Sequence, residues 1–320
     1  MGVVFYLGVS DFADNAYPIL ANRTDGGTFV QTSPASRLQY LTDAETLYLE
    51  TYNDIYTTYP DVSDLGIRVN GVDKIAVEPG AVGTIHKTID LGVGLKTVDI
   101  INGLQSKPSA RIGSYACSLA FNKAAAKQNP ASTPRILLYG DSIHVGGNAD
   151  NPSLEGVAQL VRNAYSGSLL LEAWGYRSLY DDCVDEAARI AFVSHIANQS
   201  PSIIWLGIGT NDYGLSKWTA ANFGTAYADL LDKLHVALPS AAIYAQTPVV
   251  RATETANAVG STMAEYRTQI STAQSTRSEY CTLVDGTEIL TTDDLADGVH
   301  PTTAGHAKYA AYVKTVLGLT

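Results

Sequence analysis

The stretch of sequence that decides the fold reads RILLYGDS and covers residues 135–142. Its first five residues form a short apolar run, which is typical of a buried β-strand, and Gly140 permits a tight turn after it. Ser142 would therefore emerge at the carboxyl edge of a sheet. A serine in that place is well sited for a nucleophile, although serines after strands also serve as helix N-caps.

A regular alternation of strands and helices continues from residue 135 to the end of the chain. Short apolar runs predict strands at 135–139, 168–174, 202–208, 242–246 and 282–284, and amphipathic segments lie between them. This alternation is typical of a parallel sheet with helices on both faces. Ligands of such sheets bind beyond the carboxyl ends of the strands, so we expect a site at that edge.

Four short polar blocks follow predicted strands or occupy the last loop. They read GDS at 140–142, WGYRS at 174–178, GTND at 209–212 and DGVH at 297–300. Because the carboxyl ends of parallel strands share one edge, we expect the blocks to converge there. Ser142, His300 and Asp297 would then form a catalytic triad, in which the imidazole takes the proton of the attacking hydroxyl.

The first half of the chain has a different pattern, made of short strands separated by turns. Alternating apolar residues at 37–41 and 46–52 predict half-buried strands, and Asn70-Gly71 predicts a tight hairpin. No long helical period appears, so we expect an antiparallel β-sandwich. The predicted division is a β-sandwich at 1–125, a polar, proline-containing linker at 126–134 and an α/β domain at 135–320.

The composition excludes several classes of function. The 320 residues carry a formal net charge of −11, and a nucleic-acid partner is not expected because phosphate binding needs clustered Lys and Arg. No stretch approaches the roughly 20 apolar residues of a membrane span. The cysteines lack the spacing of a zinc site, and the sequence predicts neither a metal ion nor a cofactor. The first residues lack the basic leader of a signal peptide.

The four blocks, in this order, resemble those of the SGNH (GDSL-type) hydrolase family, and the resemblance covers residues 135–320. It implies a three-layer, flavodoxin-like α/β domain and a metal-independent serine esterase. Ser142 would be the nucleophile, His300 the general base, and Asp297 the residue that orients the imidazole. The oxyanion hole would use the backbone N–H groups of Ser142 and Gly175 and the side-chain amide of Asn211.

Two places depart from the family pattern. His144 stands where the family often has threonine, and it would either contact substrate or face solvent in the loop. Gly175 is followed by Tyr176 rather than by a second glycine, which leaves the N–H of Ser178 as an alternative oxyanion donor. Further candidates for substrate contact are Trp174, Tyr176, Ser178 and Tyr213.

The first half resembles the N-terminal jelly-roll module of two-domain carbohydrate esterases of the acetyl-xylan esterase type. This resemblance implies removal of small acyl groups, above all acetyl, from a poly- or oligosaccharide, and with it a secreted or extracellular protein. The nineteen tyrosines, against six phenylalanines, agree with sugar-contacting surfaces. A lipase, lysophospholipase or thioesterase on the same scaffold is the first alternative, and a non-catalytic carbohydrate-binding protein is the second. The sugar and the oligomeric state are left open.

Overall fold

A computed structural model describes residues 3–5, 37–53, 65–77, 83–101, 114–123, 125–128, 134–165 and 167–319. The strands before residue 129 pair antiparallel, and the strands after residue 134 pair parallel. The change of pairing type falls where the sequence pattern changes.

The antiparallel strands form two sheets. The strands are β1 (Val3–Phe5), β2 (Arg37–Thr42), β3 (Thr46–Asn53), β4 (Leu65–Val69), β5 (Val72–Val77), β6 (Gly83–Asp90), β7 (Lys96–Ile101), β8 (Ser114–Phe121) and β9 (Ala125–Gln128). One sheet has the order β1-β8-β3-β6 and the other the order β5-β4-β7-β2-β9. Apart from β9, this is the strand order of an eight-stranded jelly roll. The expected β-sandwich is therefore confirmed.

Apolar side chains that alternate along the strands hold the two sheets of the sandwich together. Tyr40 on β2 and Phe121 on β8 meet between the two sheets, with ring centroids 5.2 Å apart. The β4–β5 hairpin turns at Asn70 and Gly71, which both have positive φ as a type I′ turn requires. Residues 125–128, most of which lie in the predicted linker, form β9 and pair with β2. The domain boundaries themselves stay a prediction.

The second part of the chain is a parallel sheet with helices on both faces. Its strands are β10 (Arg135–Gly140), β11 (Ser168–Ala173), β12 (Ile203–Leu206), β13 (Ala242–Gln246) and β14 (Cys281–Val284). Its helices are α1 (Ser142–Val145), α2 (Pro152–Glu155), α3 (Val157–Ala164), α4 (Leu179–Cys183), α5 (Glu186–Asn198), α6 (Thr210–Gly214), α7 (Ala220–Ala237), α8 (Met263–Ser275) and α9 (Thr303–Leu317). The sheet order is β11-β10-β12-β13-β14, the flavodoxin-like order that was expected.

The central strand β10 shows why this sequence makes a three-layer domain. Leu137 and Tyr139 point into the core that packs against α4, α5, α7 and α8. Ile136 and Leu138 point into the opposite core, which packs against α1, α3 and α9. A strand covered on both faces reads as a continuous apolar run instead of an alternating one. Within the described residues, no helix is both long and apolar enough to cross a membrane.

Candidate active site

Ser142 is the first residue of the short helix α1, directly beyond the carboxyl end of β10. Asp141 caps this helix, because its Oδ1 accepts a hydrogen bond from the N–H of Ile143 at 3.0 Å. The carbonyl oxygen of Ser142 accepts a second bond from the N–H of Gly147 at 2.8 Å. The nucleophile candidate therefore has a fixed backbone, and Asp141 is the cap of its helix.

His300 and Asp297 complete a chain of hydrogen bonds with Ser142. The Oγ of Ser142 lies 2.8 Å from Nε2 of His300, and Nδ1 of His300 lies 2.8 Å from Oδ2 of Asp297. The other carboxylate oxygen of Asp297 accepts the backbone N–H groups of Val299 and His300 at 2.9 and 2.8 Å. This sharp turn uses Gly298, which has φ +83°. The side chains of Asp297 and His300 thus meet the side chain of Ser142, from a distant part of the chain, in one line of hydrogen bonds.

The carboxyl group of Asp297 is ionised at neutral pH, because its pKa lies below the ordinary value. Partial burial raises its pKa, but the hydrogen bonds from the backbone and ring of His300 and from the N–H of Val299 lower it further, to about 2. The carboxylate of Asp297, bonded to Nδ1, holds the ring of His300 with Nε2 toward Ser142.

Three hydrogen-bond donors are the candidates for an oxyanion hole: the N–H groups of Ser142 and Gly175 and the side-chain amide of Asn211. Asn211 lies in the first turn of α6, and its Nδ2 donates one hydrogen to the carbonyl oxygen of Arg177 at 3.0 Å, which leaves the second amide hydrogen available. The N–H groups of Ser142 and Gly175 have no acceptor among the residues that the structure describes. The N–H of Ser178, by contrast, donates to Oδ2 of Asp181 at 3.1 Å in a capping box. This engagement favours Gly175 over Ser178 as the second donor.

The loop that carries Gly175 is anchored by a fully buried arginine. The guanidinium of Arg177 stacks on the ring of Trp174 at 3.5 Å and donates to Oδ2 of Asp182 at 2.8 Å. The hydroxyl of Tyr139 donates to the same oxygen at 2.8 Å. Burial lowers the pKa of Arg177, but the charge and hydrogen bond of Asp182, together with Tyr139 and Glu172, outweigh this and hold the pKa above its ordinary value. The carbonyl oxygen that accepts the hydrogen bond of Asn211 therefore belongs to Arg177, a residue whose buried side chain is held in place.

Asp212, next to Asn211, clamps two loops together. Its carboxylate accepts the backbone N–H groups of Leu179 and Tyr180, at 2.9 and 3.1 Å, at the start of α4. Complete burial raises the pKa of Asp212 to about 7, although these two bonds act against the shift. Asp212 thus ties the loop of Gly175 to the loop of Asn211.

His144 is buried, and the expectation that it faces solvent or substrate is wrong. Its side chain is only 3% exposed, and its Nε2 lies 3.1 Å from the hydroxyl of Tyr309. The ring fills a slot between Gly140 and Gly207, where an added Cβ would collide with the imidazole. The slot exists because two glycines from neighbouring strands lack side chains.

Only one of the four further candidates for substrate contact is on the surface. Trp174, Ser178 and Tyr213 are buried, and each is committed to a packing or hydrogen-bonding role. Tyr176 is 53% exposed. Burial therefore does not support the first three as substrate contacts, and Tyr176 is left as the accessible one.

Three residues that contact the site were not singled out as such by sequence reasoning. Nε2 of His306, on α9, lies 2.8 Å from the carbonyl oxygen of Gly147. Gly147 in turn lies against the catalytic candidate His300, since an added Cβ at Gly147 would be 2.8 Å from Cδ2 of His300. Arg251, in the loop after β13, donates to the carbonyl oxygen of Thr210 at 3.0 Å. Arg251 follows a strand end, like the recognised blocks. The contact of His306 spans 159 positions and has no local signal.

In the described part of the chain, no group of three or more His, Cys, Asp or Glu side chains is arranged to hold a metal ion. The triad candidates and the donors around them are all groups of the protein itself. The arrangement can bind a carbonyl oxygen, activate a hydroxyl and carry a proton.

Comparison with known proteins assigns the chain to a family. Residues 138–308 match the GDSL-like lipase/acylhydrolase family, and the chain belongs to this family of hydrolases. The match spans the blocks of Ser142, Gly175, Asn211 and His300. Among curated proteins, none matches this chain in sequence.

Several solved structures share the fold. A salicylyl-acyltransferase, SsfX3, from a tetracycline biosynthetic pathway is similar with a TM-score of 0.68 and 19% identity over 88% of this chain and 82% of its own. A family two carbohydrate esterase from Clostridium thermocellum, in complex with cellohexaose, has a TM-score of 0.66 and 16% identity over 99% and 100%. The acetyl xylan esterase Est2A from Butyrivibrio proteoclasticus has a TM-score of 0.62 and 15% identity over 91% and 94%. At these identities the likeness establishes the fold, including the N-terminal β-domain.

The packing of His144 against Gly207 predicts that substitutions of these two residues have non-additive effects on stability. Gly207→Ala should lower the free energy of unfolding by about 1–3 kcal/mol, because the new methyl group meets the imidazole. In a His144→Ala background the same change should cost at least about 1 kcal/mol less. Urea unfolding of the wild type, both single variants and the double variant measures this coupling. Strictly additive losses would contradict the slot.

The buried imidazole of His306 predicts a loss of stability in acid. Burial lowers the pKa of His306 from 6.5 to about 4, so below pH 6.5 the unfolded chain takes up a proton that the folded protein refuses. Stability should therefore fall from pH 6.5 to pH 4, by roughly 2–3 kcal/mol from this group. His306→Gln keeps a donor for the carbonyl of Gly147 but removes the titration.

Urea unfolding at pH 7 and pH 5 tests this prediction. At pH 7 the imidazole is mostly neutral in both states, so this pH serves as the reference for each protein. The wild type should lose more stability between the two pH values than His306→Gln does. Equal losses would mean that His306 takes up its proton as readily in the folded protein as in the unfolded chain.

Proposed function

We propose that this protein is a serine esterase that removes small acyl groups, chiefly acetyl, from a carbohydrate through a Ser142–His300–Asp297 triad. The observation that carries the proposal is the hydrogen-bonded line from Ser142 through His300 to Asp297, with both distances at 2.8 Å. These lengths suit direct proton transfer from the hydroxyl to the imidazole.

Acylation begins when Oγ of Ser142 attacks the ester carbonyl carbon and its proton passes to Nε2 of His300. The carbonyl oxygen becomes negative, and Asp297 stabilises the imidazolium. Collapse of the tetrahedral intermediate breaks the bond to the sugar oxygen, which takes the proton from His300. The sugar leaves as a free alcohol, and the acyl group stays on Ser142.

Deacylation repeats the steps with water as the nucleophile. His300 takes a proton from water as the water oxygen attacks the acyl carbon, and Ser142 recovers that proton when its bond to the acyl group breaks. The product is the free carboxylic acid. In both halves the N–H groups of Ser142 and Gly175 and the free amide hydrogen of Asn211 would bind the negative oxygen, which appears only in the intermediate.

The choice of a sugar ester rests on the scaffold and the surroundings of the site. The chain shares its jelly roll and its α/β domain with proteins described as carbohydrate esterases, along the whole length of the chain. Tyr176, in the loop of Gly175, is 53% exposed and offers an accessible aromatic ring. A tyrosine side chain, with an apolar ring and a polar hydroxyl, suits a sugar better than a long acyl chain.

Substitution of the proposed catalytic groups tests the mechanism. Ser142→Ala should lower kcat on an acetyl ester by about 10⁴-fold or more, because no nucleophile is left. Asn211→Ala should lower kcat by on the order of 100- to 1,000-fold, because one oxyanion donor is lost. Asn222→Ala, at an exposed position of α7, is the matched control and should leave kcat unchanged. Thermal unfolding of each variant checks that the fold persists. Undiminished turnover in Ser142→Ala would refute the assignment of the nucleophile.

A chain-length series separates the proposed activity from the lipase and thioesterase alternatives. Rates on 4-nitrophenyl esters from acetate to decanoate should be highest for acetate, and acetylated xylo-oligosaccharide should release acetate. A maximum at octanoate or longer would support a lipase. Binding of xylo-oligosaccharide without turnover of any ester would support a non-catalytic carbohydrate-binding protein.

A further inference from the structure

The loop after β13 binds two separate parts of the proposed active site. The backbone N–H of Ala252 donates to the carbonyl oxygen of Gly298 at 2.9 Å, inside the turn that leads to His300. Nη1 of Arg251 donates to the carbonyl oxygen of Thr210 at 3.0 Å, at the start of α6. Two adjacent residues of one loop therefore connect the turn of the proposed base with the helix of the proposed side-chain oxyanion donor.

The backbone of this loop is held in place from α8. Arg267, on α8, donates to the carbonyl oxygens of Pro248 and Val249, both at 2.8 Å, and forms a salt bridge with Glu254. Glu254 in turn accepts the backbone N–H of Arg251 at 2.9 Å. The side chain of Arg251 therefore extends from a fixed backbone toward α6.

The charge of Arg251 is compensated less well than the charges of other arginines in the α/β domain. Four of these contact a carboxylate oxygen, namely Arg177, Arg189, Arg267 and Arg277. Within the residues that the structure describes, Arg251 makes no salt bridge, and its Nε is buried without an acceptor. Burial lowers the pKa of Arg251, because an unpaired guanidinium is costly to bury. Stability alone therefore gives no reason for an arginine at this position.

The bond that Arg251 makes fixes the peptide group directly before Asn211. The carbonyl of Thr210 belongs to the peptide group that joins Thr210 to Asn211, so Arg251 holds the backbone of Asn211. The side chain of Asn211 is held separately, since Nδ2 donates to the carbonyl oxygen of Arg177 at 3.0 Å. An oxyanion donor has to keep its place to within about 0.5 Å. Backbone and side chain of Asn211 are thus each held by a different arginine.

We propose that Arg251 is a positioning residue of the active site, which holds the peptide group before Asn211 in place relative to the turn that carries His300. The inference rests on the proposed function, since it needs Asn211 to act as an oxyanion donor. The role assigned to Arg251 involves no proton transfer and no contact with the ester.

A double-mutant cycle on kcat tests this role. Arg251→Met removes the donor to the Thr210 carbonyl. On 4-nitrophenyl acetate its kcat should fall by about tenfold with KM within about twofold, because an oxyanion donor acts only in the intermediate. In an Asn211→Ala background the same substitution should change kcat by less than about twofold, since no side-chain amide is left to position. A residue that acts independently of Asn211 would lower kcat by the same factor in both backgrounds.

Further variants complete the test. Arg251→Lys keeps a charged donor for the Thr210 carbonyl, and its kcat should stay within about threefold of the wild type. Arg277→Met removes a guanidinium that pairs with Asp232 at the opposite edge of the sheet, and this matched control should leave kcat unchanged. Thermal unfolding shows whether each variant is folded at the assay temperature. If Arg251→Met does not fold, Arg251→Gln, which is shorter and uncharged but still polar, takes its place in the cycle.

The outcomes distinguish the positioning role from the function on which it rests. A wild type that hydrolyses no ester, or an Asn211→Ala variant with full activity, would refute the proposed mechanism and the positioning role with it. If both behave as expected, an unchanged kcat in Arg251→Met would overturn the positioning role alone. An equal loss in both backgrounds would also overturn it, because Arg251 would then act on something other than Asn211.

Discussion

The hydrogen bond between Ser142 and His300 joins residues 158 positions apart, and most of the architecture around it serves to hold its two ends. On one side, β10 is buried on both faces and ends in a capped helix whose first residue is Ser142. On the other side, Asp297 binds the backbone and the ring of His300 at once. A hydrogen bond of 2.8 Å tolerates little movement of either residue. Both Ser142 and His300 must therefore be held rigidly at this edge of the sheet.

Buried polar groups supply much of that rigidity. Arg177 and Asp212 are fully buried, and each has charged or backbone partners that connect neighbouring loops. Burying charges costs free energy, and apolar side chains would fill the same space with less penalty. Arg177 and Asp212 lie under the loops of Gly175 and Asn211, where their hydrogen bonds hold these loops in place. The bonds of these residues hold the two loops in one arrangement, as the proposed oxyanion stabilisation would require.

The sequence predicted those features that depend on local pattern. The apolar run at 135–139, the Asn70-Gly71 turn and the alternation of strands and helices all follow from short-range periodicity, and the structure confirms the fold that they indicated. The convergence of Ser142 with His300 also followed, because parallel strands place their carboxyl ends at one edge. Their catalytic roles remain a proposal that this convergence supports.

The features that sequence reasoning missed depend on contacts between distant segments. His144 was expected at the surface, yet it is buried because Gly140 and Gly207, on neighbouring strands, leave room for its ring. His306 lies on α9 and its partner Gly147 lies in the loop after α1, so no local pattern marks their contact. Tyr176 has φ +63°, a left-handed backbone angle that its residue type gives no reason to expect. Glycine pairs across a sheet and backbone strain are fixed by tertiary packing, and a one-dimensional pattern does not carry them.

The most direct test of the central claim is to label the nucleophile. A fluorophosphonate forms a bond from phosphorus to an activated serine oxygen, fluoride leaves, and peptide mass spectrometry locates the adduct. The account predicts one adduct, on the peptide that carries Ser142, with loss of esterase activity in proportion to labelling and with labelling strongly slowed in a His300→Ala variant. An adduct on another residue, or full activity in protein labelled at Ser142, would contradict the account.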